Sequence, residues 1–318
     1  MNRIDIGIIG VSGYTGLELV KMVLDHPNFE LAYCASSEGA TTISEIHPSL
    51  LKVCDLPVEK VDVQVAAKKC KLVFLALPHK AAMQTAKRLL ELGVKVVDLS
   101  ADYRLTQDNY ERFYCEHEDI TNLNYAIYSI PELHKDKAKN ARLIANPGCH
   151  VTASLLALAP FLNYLELDSP IFIDSKTGVS GAGKAPSATV HYVNVNDNIN
   201  CYNIIKHRHS IEIEQHASSL IQDEVKVTFV PSLVPMTRGM LACVYATLKK
   251  DCDPQSVLDG AAEAFKMFTQ NQTEVNEYQK NEQFIAQVSK TIGYWERQLI
   301  LTVDAQVKTS DGNVTGPL

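Results

Sequence analysis

The sequence predicts an α/β protein: a Rossmann-like doubly wound parallel sheet, then an α+β domain on a mixed or antiparallel sheet. Three observations lead there. Short apolar runs alternate with helix-spaced apolar runs over the first half of the chain. The runs at 4–9, 71–77, 94–100 and 143–146 are apolar almost throughout, as strands covered on both faces must be. Beyond residue 148 the strands are joined by shorter loops and the helices stand apart. At about 150 residues per domain, 318 residues make two, placed at 1–148 for a nucleotide-binding domain and 149–295 for a catalytic and dimerisation domain.

The strand at 4–9 runs into Gly10-Val11-Ser12-Gly13-Tyr14-Thr15-Gly16 and a helix from Leu17. A Gly-rich turn between strand and helix brings backbone N–H groups against a pyrophosphate. The spacing is G-x-x-G-x-x-G, a variant of the dinucleotide pattern that also serves as a purely structural turn. Candidate cofactor contacts are Gly10, Ser12, Gly13, Tyr14, Thr15 and Gly16. The strand at 29–35 ends in Ser36-Ser37-Glu38, where an acidic residue would bind a ribose 2′-OH and hydroxyls would bind a 2′-phosphate. Ser36 and Ser37 tip the reading to NADP over NAD. The strand at 71–77 ends at Pro78, counted with the cofactor contacts. A helix over 81–92 stops at Gly93. Arg104 follows the strand at 94–100, at the end where open sheets bind ligands. It can clamp a carboxylate or phosphate bidentately, or pair with Asp102.

The centre of the chain is Leu143-Ile144-Ala145-Asn146-Pro147-Gly148-Cys149-His150: a buried strand, a sharp turn, then an apolar run suited to a helix. Cys149 therefore sits at a helix N-terminus, which favours thiolate over thiol. A thiol of pKa about 8.5 is about 3% ionised at pH 7 and one near 6 is about 90% ionised, roughly a thirty-fold gain in nucleophile. The alternative is a buried cysteine packing as a small hydrophobe.

Further along, a strand at 171–177 leads to a second Gly-rich loop, in which Ser180 and Gly181 offer N–H donors and small side chains to a phosphate. Asn194 to Asn203 is polar and carries Tyr202. His207-Arg208-His209 follows. Residues two apart point to opposite faces of a strand, so one of the two histidines reaches the site. A helix over 211–221, strands over 225–230 and 240–248, a helix from Asp253-Pro254 to about 268 and a strand over 299–303 complete the order.

The net charge of −7, without a Lys/Arg run, argues against nucleic acid or anionic membrane as partner. The first strand is too short and acidic for a signal peptide. The longest uncharged apolar run, 151–165, falls below the length of a membrane span. Eight scattered cysteines form no C-x-x-C pair, so no zinc site or disulfide framework is indicated, which fits a cytoplasmic protein. The histidines lack a third ligand at useful spacing, and no metal site is expected. A dinucleotide domain, a cysteine at the domain border, a histidine and anion-binding arginines together suggest covalent acyl–aldehyde redox chemistry on a small-molecule substrate.

At these residues the sequence resembles the N-acetyl-gamma-glutamyl-phosphate reductase family of the semialdehyde dehydrogenase group. The likeness runs in order from about residue 4 to about residue 250. It includes Gly13-Tyr14-Thr15-Gly16, Leu99-Ser100-Ala101-Asp102-Tyr103-Arg104-Leu105, Asn146-Pro147-Gly148-Cys149, Ser180-Gly181-Ala182-Gly183, His207-Arg208-His209 with Glu212-Ile213, and Pro235-Met236-Thr237-Arg238-Gly239. The resemblance implies reduction of N-acetylglutamyl 5-phosphate to the semialdehyde in arginine biosynthesis, with NADPH as cofactor and a homodimer or homotetramer as assembly. It maps the catalytic cysteine to Cys149 and the acid/base histidine to His207 or His209, His207 being favoured. Candidate substrate contacts are Arg104, Asn146, Tyr202, Arg208 and His209, of which Arg104 and Tyr202 match substrate-contacting positions of the family. It also implies that 296–318 returns to the nucleotide domain. The chain departs from the pattern at four places: His150-Val151 stands for Tyr-Pro, Ser129 for Gly, Ser37-Glu38 lacks a basic neighbour, and Ala305 stands for Asn. Other expectations are an aspartyl or carrier-bound aminoadipyl substrate, the −7 charge speaking against a carrier protein, or a nucleotide-binding protein without catalysis.

Overall fold

The computed structural model describes residues 3–253, 256–257, 259–261, 263–264, 307–308 and 314–315. The chain divides into two compact units, with the boundary between Gly148 and Cys149; Gly183–Ala185 belongs with the first.

The first unit is built on eight strands: β1 (Ile4–Ile9), β2 (Phe29–Ser36), β3 (Thr41–Thr42), β4 (Pro57–Lys60), β5 (Leu72–Leu75), β6 (Lys95–Asp98), β7 (Ile127–Tyr128) and β8 (Leu143–Ala145). Their order is β3-β4-β2-β1-β5-β6-β8-β7, parallel except for the β3–β4 pair. Ile6, Ile8 and Ile9 of β1 and the whole of β5 are buried, which is why these runs carry no polar alternation. The helices are α1 (Tyr14–Asp25), α2 (Ile43–Ile46), α3 (Val63–Lys69), α4 (Ala81–Glu91), α5 (Gln107–Phe113), α6 (Ile120–Leu123) and α7 (Pro131–Ala138). From β1 the chain builds one way to β2, β4 and β3, then returns to place β5 on the other side of β1. That reversal is the switch point of an open sheet, and the Gly10–Gly16 turn and Pro78 follow the two strands that flank it.

The second unit has α8 (Cys149–Leu158), β9 (Ile171–Thr177), α9 (Tyr192–Val195), β10 (Asn200–Cys201), α10 (His209–Ile221), β11 (Val227–Leu233) and β12 (Met240–Tyr245). The sheet order is β10-β11-β9-β12. β9 runs parallel to β11 and antiparallel to β12, so the sheet is mixed. α8 is apolar on most sides and packs against β9, β12 and α10. Alternate residues of β9, namely Ile171, Ile173, Ser175 and Thr177, are buried.

Several boundaries differ from expectation. β11 continues through Pro231, whose carbonyl still accepts the Tyr202 N–H at 3.1 Å. β12 ends at Tyr245 rather than 248. α10 begins at His209, two residues early. Asp253 does accept the Ser256 N–H at 2.9 Å, and the residues described between 256 and 264 are helical. The expected strand at 299–303 and Ala305 lie outside the described residues, as does most of 296–318, where only β13 (Val307–Lys308) and β14 (Val314–Thr315) are described, as an antiparallel pair. Among the described residues no helix is long and apolar enough to cross a membrane.

Candidate active site

In the first unit, Gly10 has φ +96°, and a Cβ there would lie 2.3 Å from the Ala76 carbonyl oxygen. A Cβ at Gly16 would lie 2.4 Å from the Gly10 carbonyl oxygen. These two glycines let strand and helix close on each other. Gly13 is different: nothing stands nearer than 4.0 Å to its Cβ position. It caps α1 with no side-chain hydrogen bond and no acidic residue in the first turn. The helix end thus keeps its positive character, and this open, side-chain-free cradle suits a pyrophosphate. Ser12 and Tyr14 are exposed and Thr15 is half-buried. Ser36 is buried, its Oγ accepting the Gly39 N–H at 3.0 Å, whereas Ser37 is exposed.

Arg104 is buried. It donates from Nε to the Asn146 carbonyl at 2.7 Å and from Nη2 to the Leu99 carbonyl at 2.6 Å. Asp102 accepts elsewhere: the Lys80 and Met83 N–H groups at the start of α4, each at 2.8 Å, and the Tyr110 hydroxyl at 2.7 Å. The Asn146 amide donates to the Pro147 carbonyl at 3.2 Å, and its buried Oδ1 has no partner among the described residues.

In the second unit, Cys149 is the first residue of α8, partly exposed, with no acidic residue in the helix's first turn. Next to it in sequence, His150 is 2% exposed. Its Nδ1 lies 2.7 Å from Ser175 Oγ and its Nε2 lies 2.8 Å from Tyr202 Oη. Its ring sits 5.6 Å from that of His207, 5.7 Å from His209 and 5.4 Å from Phe229. The His207 and His209 rings are 4.7 Å apart. Burial, then the neighbouring His209 and His207, push the His150 pKa down to about 2. Burial and then the Arg208 charge bring His207 down to about 4, opposed by Glu212. Burial and then the charge of Cys149 raise the Tyr202 hydroxyl, so sulfur and phenol are electrostatic neighbours. His207 Nδ1 accepts the His209 N–H at 3.2 Å. A neutral His207 therefore carries its proton on Nε2.

Two expectations need correction. The histidines do not alternate across a strand: Arg208 has helical φ/ψ and His209 opens α10, so both rings come to one side, against His150. Nor does the second Gly-rich loop present free N–H groups at 178–181. Gly178, Val179 and Ser180 donate to the carbonyls of Gly239, Met236 and Thr237, and Gly181 to that of Gly178. Its glycines are there for contact: a Cβ at Gly178 would lie 2.9 Å from the Arg238 backbone, and one at Gly181 2.9 Å from Thr177 Oγ1. The fold gathers Cys149, Tyr202, His207 and His209 in the second unit; Gly10 to Gly16, Ser36, Ser37, Pro78, Arg104 and Asn146 belong to the first. Arg208 is exposed. His150 and Ser175 escaped sequence reasoning. One signal existed for Ser175: with Thr177 it is a polar residue on the inward alternation that Ile171 and Ile173 begin.

Residues 5–141 match the family described as semialdehyde dehydrogenase, NAD binding domain, and residues 149–309 match semialdehyde dehydrogenase, dimerisation domain. The chain is 55% identical over 255 residues to an N-acetyl-gamma-glutamyl-phosphate reductase of Sulfurovum sp., covering 80% of this chain and 76% of the relative. It is 52% identical over 285 residues to the protein of that name from Campylobacter curvus, covering 90% and 80%. Among solved structures, an aspartate semialdehyde dehydrogenase with NADP from Candida albicans superposes with a TM-score of 0.59 at 16% identity, covering 81% and 76%. That likeness shows the fold.

Proposed function

Since the chain belongs to the N-acetyl-gamma-glutamyl-phosphate reductase family of semialdehyde dehydrogenases, we propose that it reduces N-acetylglutamyl 5-phosphate to N-acetylglutamate 5-semialdehyde and phosphate, in arginine biosynthesis, through a thioester on Cys149. The observation that carries this reading is Cys149 at the first position of α8, partly exposed, in the same unit as the His207–His209 pair.

NADPH would be held by the first turn of α1, with Gly10, Ser12, Gly13, Tyr14, Thr15 and Gly16 around the pyrophosphate. Ser36 and Ser37, at the end of β2, would take the 2′-phosphate, with Pro78, Ser180 and Gly181 as further contacts. When bound, it supplies the hydride that takes the thioester to the aldehyde level. The chain's own residues do the rest. Neutral His207 takes the thiol proton of Cys149 on Nδ1, giving up the His209 N–H that this nitrogen accepts at rest, and the α8 N-terminus stabilises the thiolate. Sulfur attacks the acyl carbon, and the C–O bond to phosphate breaks as the thioester forms. The imidazolium protonates the oxygen of the reduced, tetrahedral adduct and takes that proton back as the adduct collapses: C=O forms, the C–S bond breaks, and aldehyde leaves with the Cys149 thiolate restored. Arg104, Asn146, Arg208, His209 and Tyr202 bind the substrate's anionic and carbonyl oxygens. Residues 1–148 form the nucleotide domain, to which 296–318 returns, and 149–295 the catalytic domain. The protein acts in the cytoplasm as a homodimer or homotetramer.

Run in reverse, purified protein should oxidise N-acetylglutamate semialdehyde only when NADP and phosphate or arsenate are both present. Cys149→Ser should lower turnover by at least about 10⁴-fold, and a variant that kept its rate would remove the thioester route. An aspartate semialdehyde substrate would be revealed by a substrate panel.

A further inference from the structure

His150 is a buried polar side chain of the second unit with both ring nitrogens engaged, and no step above uses it. It follows Cys149 directly, is 2% exposed, and engages both ring nitrogens: Nδ1 with Ser175 Oγ of β9 at 2.7 Å, and Nε2 with Tyr202 Oη just after β10 at 2.8 Å. Ser175 is fully buried, so the far end of this chain is fixed in the sheet. Tyr202 is half-buried and is tied by its own N–H to the Pro231 carbonyl, which leaves its hydroxyl as the group that His150 orients.

We propose that His150 is a positioning residue: anchored on Ser175, it holds the Tyr202 hydroxyl in place and sets the direction of its proton toward the acyl-phosphate substrate.

A neutral imidazole has one N–H, so the chain Ser175–His150–Tyr202 has two polarities. In one, Ser175 O–H donates to Nδ1 and Nε2–H donates to the Tyr202 oxygen. The phenolic proton is then spared for an acceptor outside the chain. In the other, Tyr202 O–H is consumed by Nε2. Oxygens of an acyl phosphate accept and do not donate, so bound substrate selects the first polarity. The donor becomes stronger because its own oxygen accepts a hydrogen bond. Burial beside His207 and His209 keeps His150 neutral, so it does not compete with His207 for the thiol proton. This inference rests on the reading of Tyr202 as a substrate contact in the proposed reaction.

The test is a double-mutant cycle. Tyr202→Phe and His150→Phe should each lower kcat/KM by about 10- to 100-fold, and the double variant should be no worse than Tyr202→Phe alone. His150→Gln, which restores an N–H near the position of Nε2, should recover part of the loss, and Ser175→Ala should show a smaller one. Alkylation of Cys149 by iodoacetamide and NADPH affinity should stay within about twofold of wild type, which reports an intact fold and nucleophile. Should His150→Phe not fold, the Gln and Ser175→Ala variants carry the same cycle. A second readout needs no turnover: at neutral pH the NMR signal of the Tyr202 ring carbon that bears the hydroxyl, assigned by its loss in Tyr202→Phe, should move in His150→Gln. Additive losses in the cycle, or an unmoved Tyr202 signal, would overturn the proposal. Inactive wild type or an active Cys149→Ser would instead overturn the reaction, leaving the Tyr202 signal to decide the link between His150 and Tyr202.

Discussion

Around Asp102 and Arg104 in the first unit polar side chains mostly hold main chain; around His150 in the second they hold one another. Asp102 gathers two N–H groups at the start of α4, Arg104 gathers the carbonyls of Leu99 and Asn146, and Ser36 takes the Gly39 N–H. Around Cys149, by contrast, Ser175, His150 and Tyr202 bond side chain to side chain, and the His207 and His209 rings meet edge to face beside them. The first arrangement secures the shape of loops that follow parallel strands. The second leaves the backbone to the sheet and concentrates titratable groups at one place. The two units should therefore fail differently when polar groups are removed.

The largest contrast is Asp102→Ala against His207→Gln. Removing Asp102 strands the Lys80 and Met83 N–H groups and the Tyr110 hydroxyl, each orphan costing about 1–3 kcal/mol, so we expect a loss of about 4 kcal/mol in urea unfolding. His207→Gln should cost under about 1 kcal/mol while removing most of the turnover. Equal stability losses would break the contrast.

The Gly-rich turn of the first unit sharpens it at smaller scale. Gly16→Ala puts a methyl 2.4 Å from the Gly10 carbonyl oxygen and 2.6 Å from Val11 Cα, and should cost about 1–3 kcal/mol. At Gly13 the same methyl comes no nearer than 4.0 Å to the Gly10 carbonyl oxygen, so stability should change by under about 1 kcal/mol. NADPH affinity should nevertheless fall about tenfold, since that methyl stands where backbone must approach the pyrophosphate. Thermal unfolding and fluorescence titration with NADPH separate the two.

The same division explains what could be read from the sequence. The strand–turn–helix at 143–158 and the Gly10–Gly16 turn are local, so periodicity and turn chemistry reveal them. At the Ser180-Gly181 loop, glycine spacing reports a need for close approach and not what approaches; the loop at 236–239 takes up the N–H groups of Gly178, Val179 and Ser180. The two histidines show the converse limit: three residues carry no period that separates strand from helix, and α10 starts inside that triplet. His150 could not be found by spacing, since Ser175, Tyr202, His207 and Phe229 reach it from four separate segments.

Acid should reach the second unit harder. His150 and His207 are neutral when folded, down to about 2 and about 4, but titrate from 6.5 once unfolded. The unfolded chain therefore binds protons that the folded one refuses. Stability is full above pH 6.5 and falls by about 1.4 kcal/mol per pH unit for each histidine as pH drops toward 4. His134 in the first unit behaves alike down to about 4, with His26 and His47 following in the same direction. There Asp98 works oppositely: burial raises it to about 7, so its contribution is present below 3.8 and is lost as pH rises through 7. Hydrogen exchange at pH 7 and pH 5 should show protection falling more in β9 and β11 than in β1 and β5.

The smallest expected effect concerns Arg208, whose exposed charge is the second cause, after burial, of the low His207 pKa. A cation beside the ring disfavours the imidazolium. Arg208→Gln should therefore raise the His207 midpoint, by several tenths of a pH unit because water screens an exposed charge. The imidazole titration followed by NMR gives the shift directly, and the acid limb of kcat should move to higher pH with it. Raising the salt concentration should move wild type in the same direction and leave the variant nearly unchanged. A midpoint that ignores both salt and substitution would mean burial alone sets the basicity of His207, and that the charge of the second unit's polar cluster is closed to solvent.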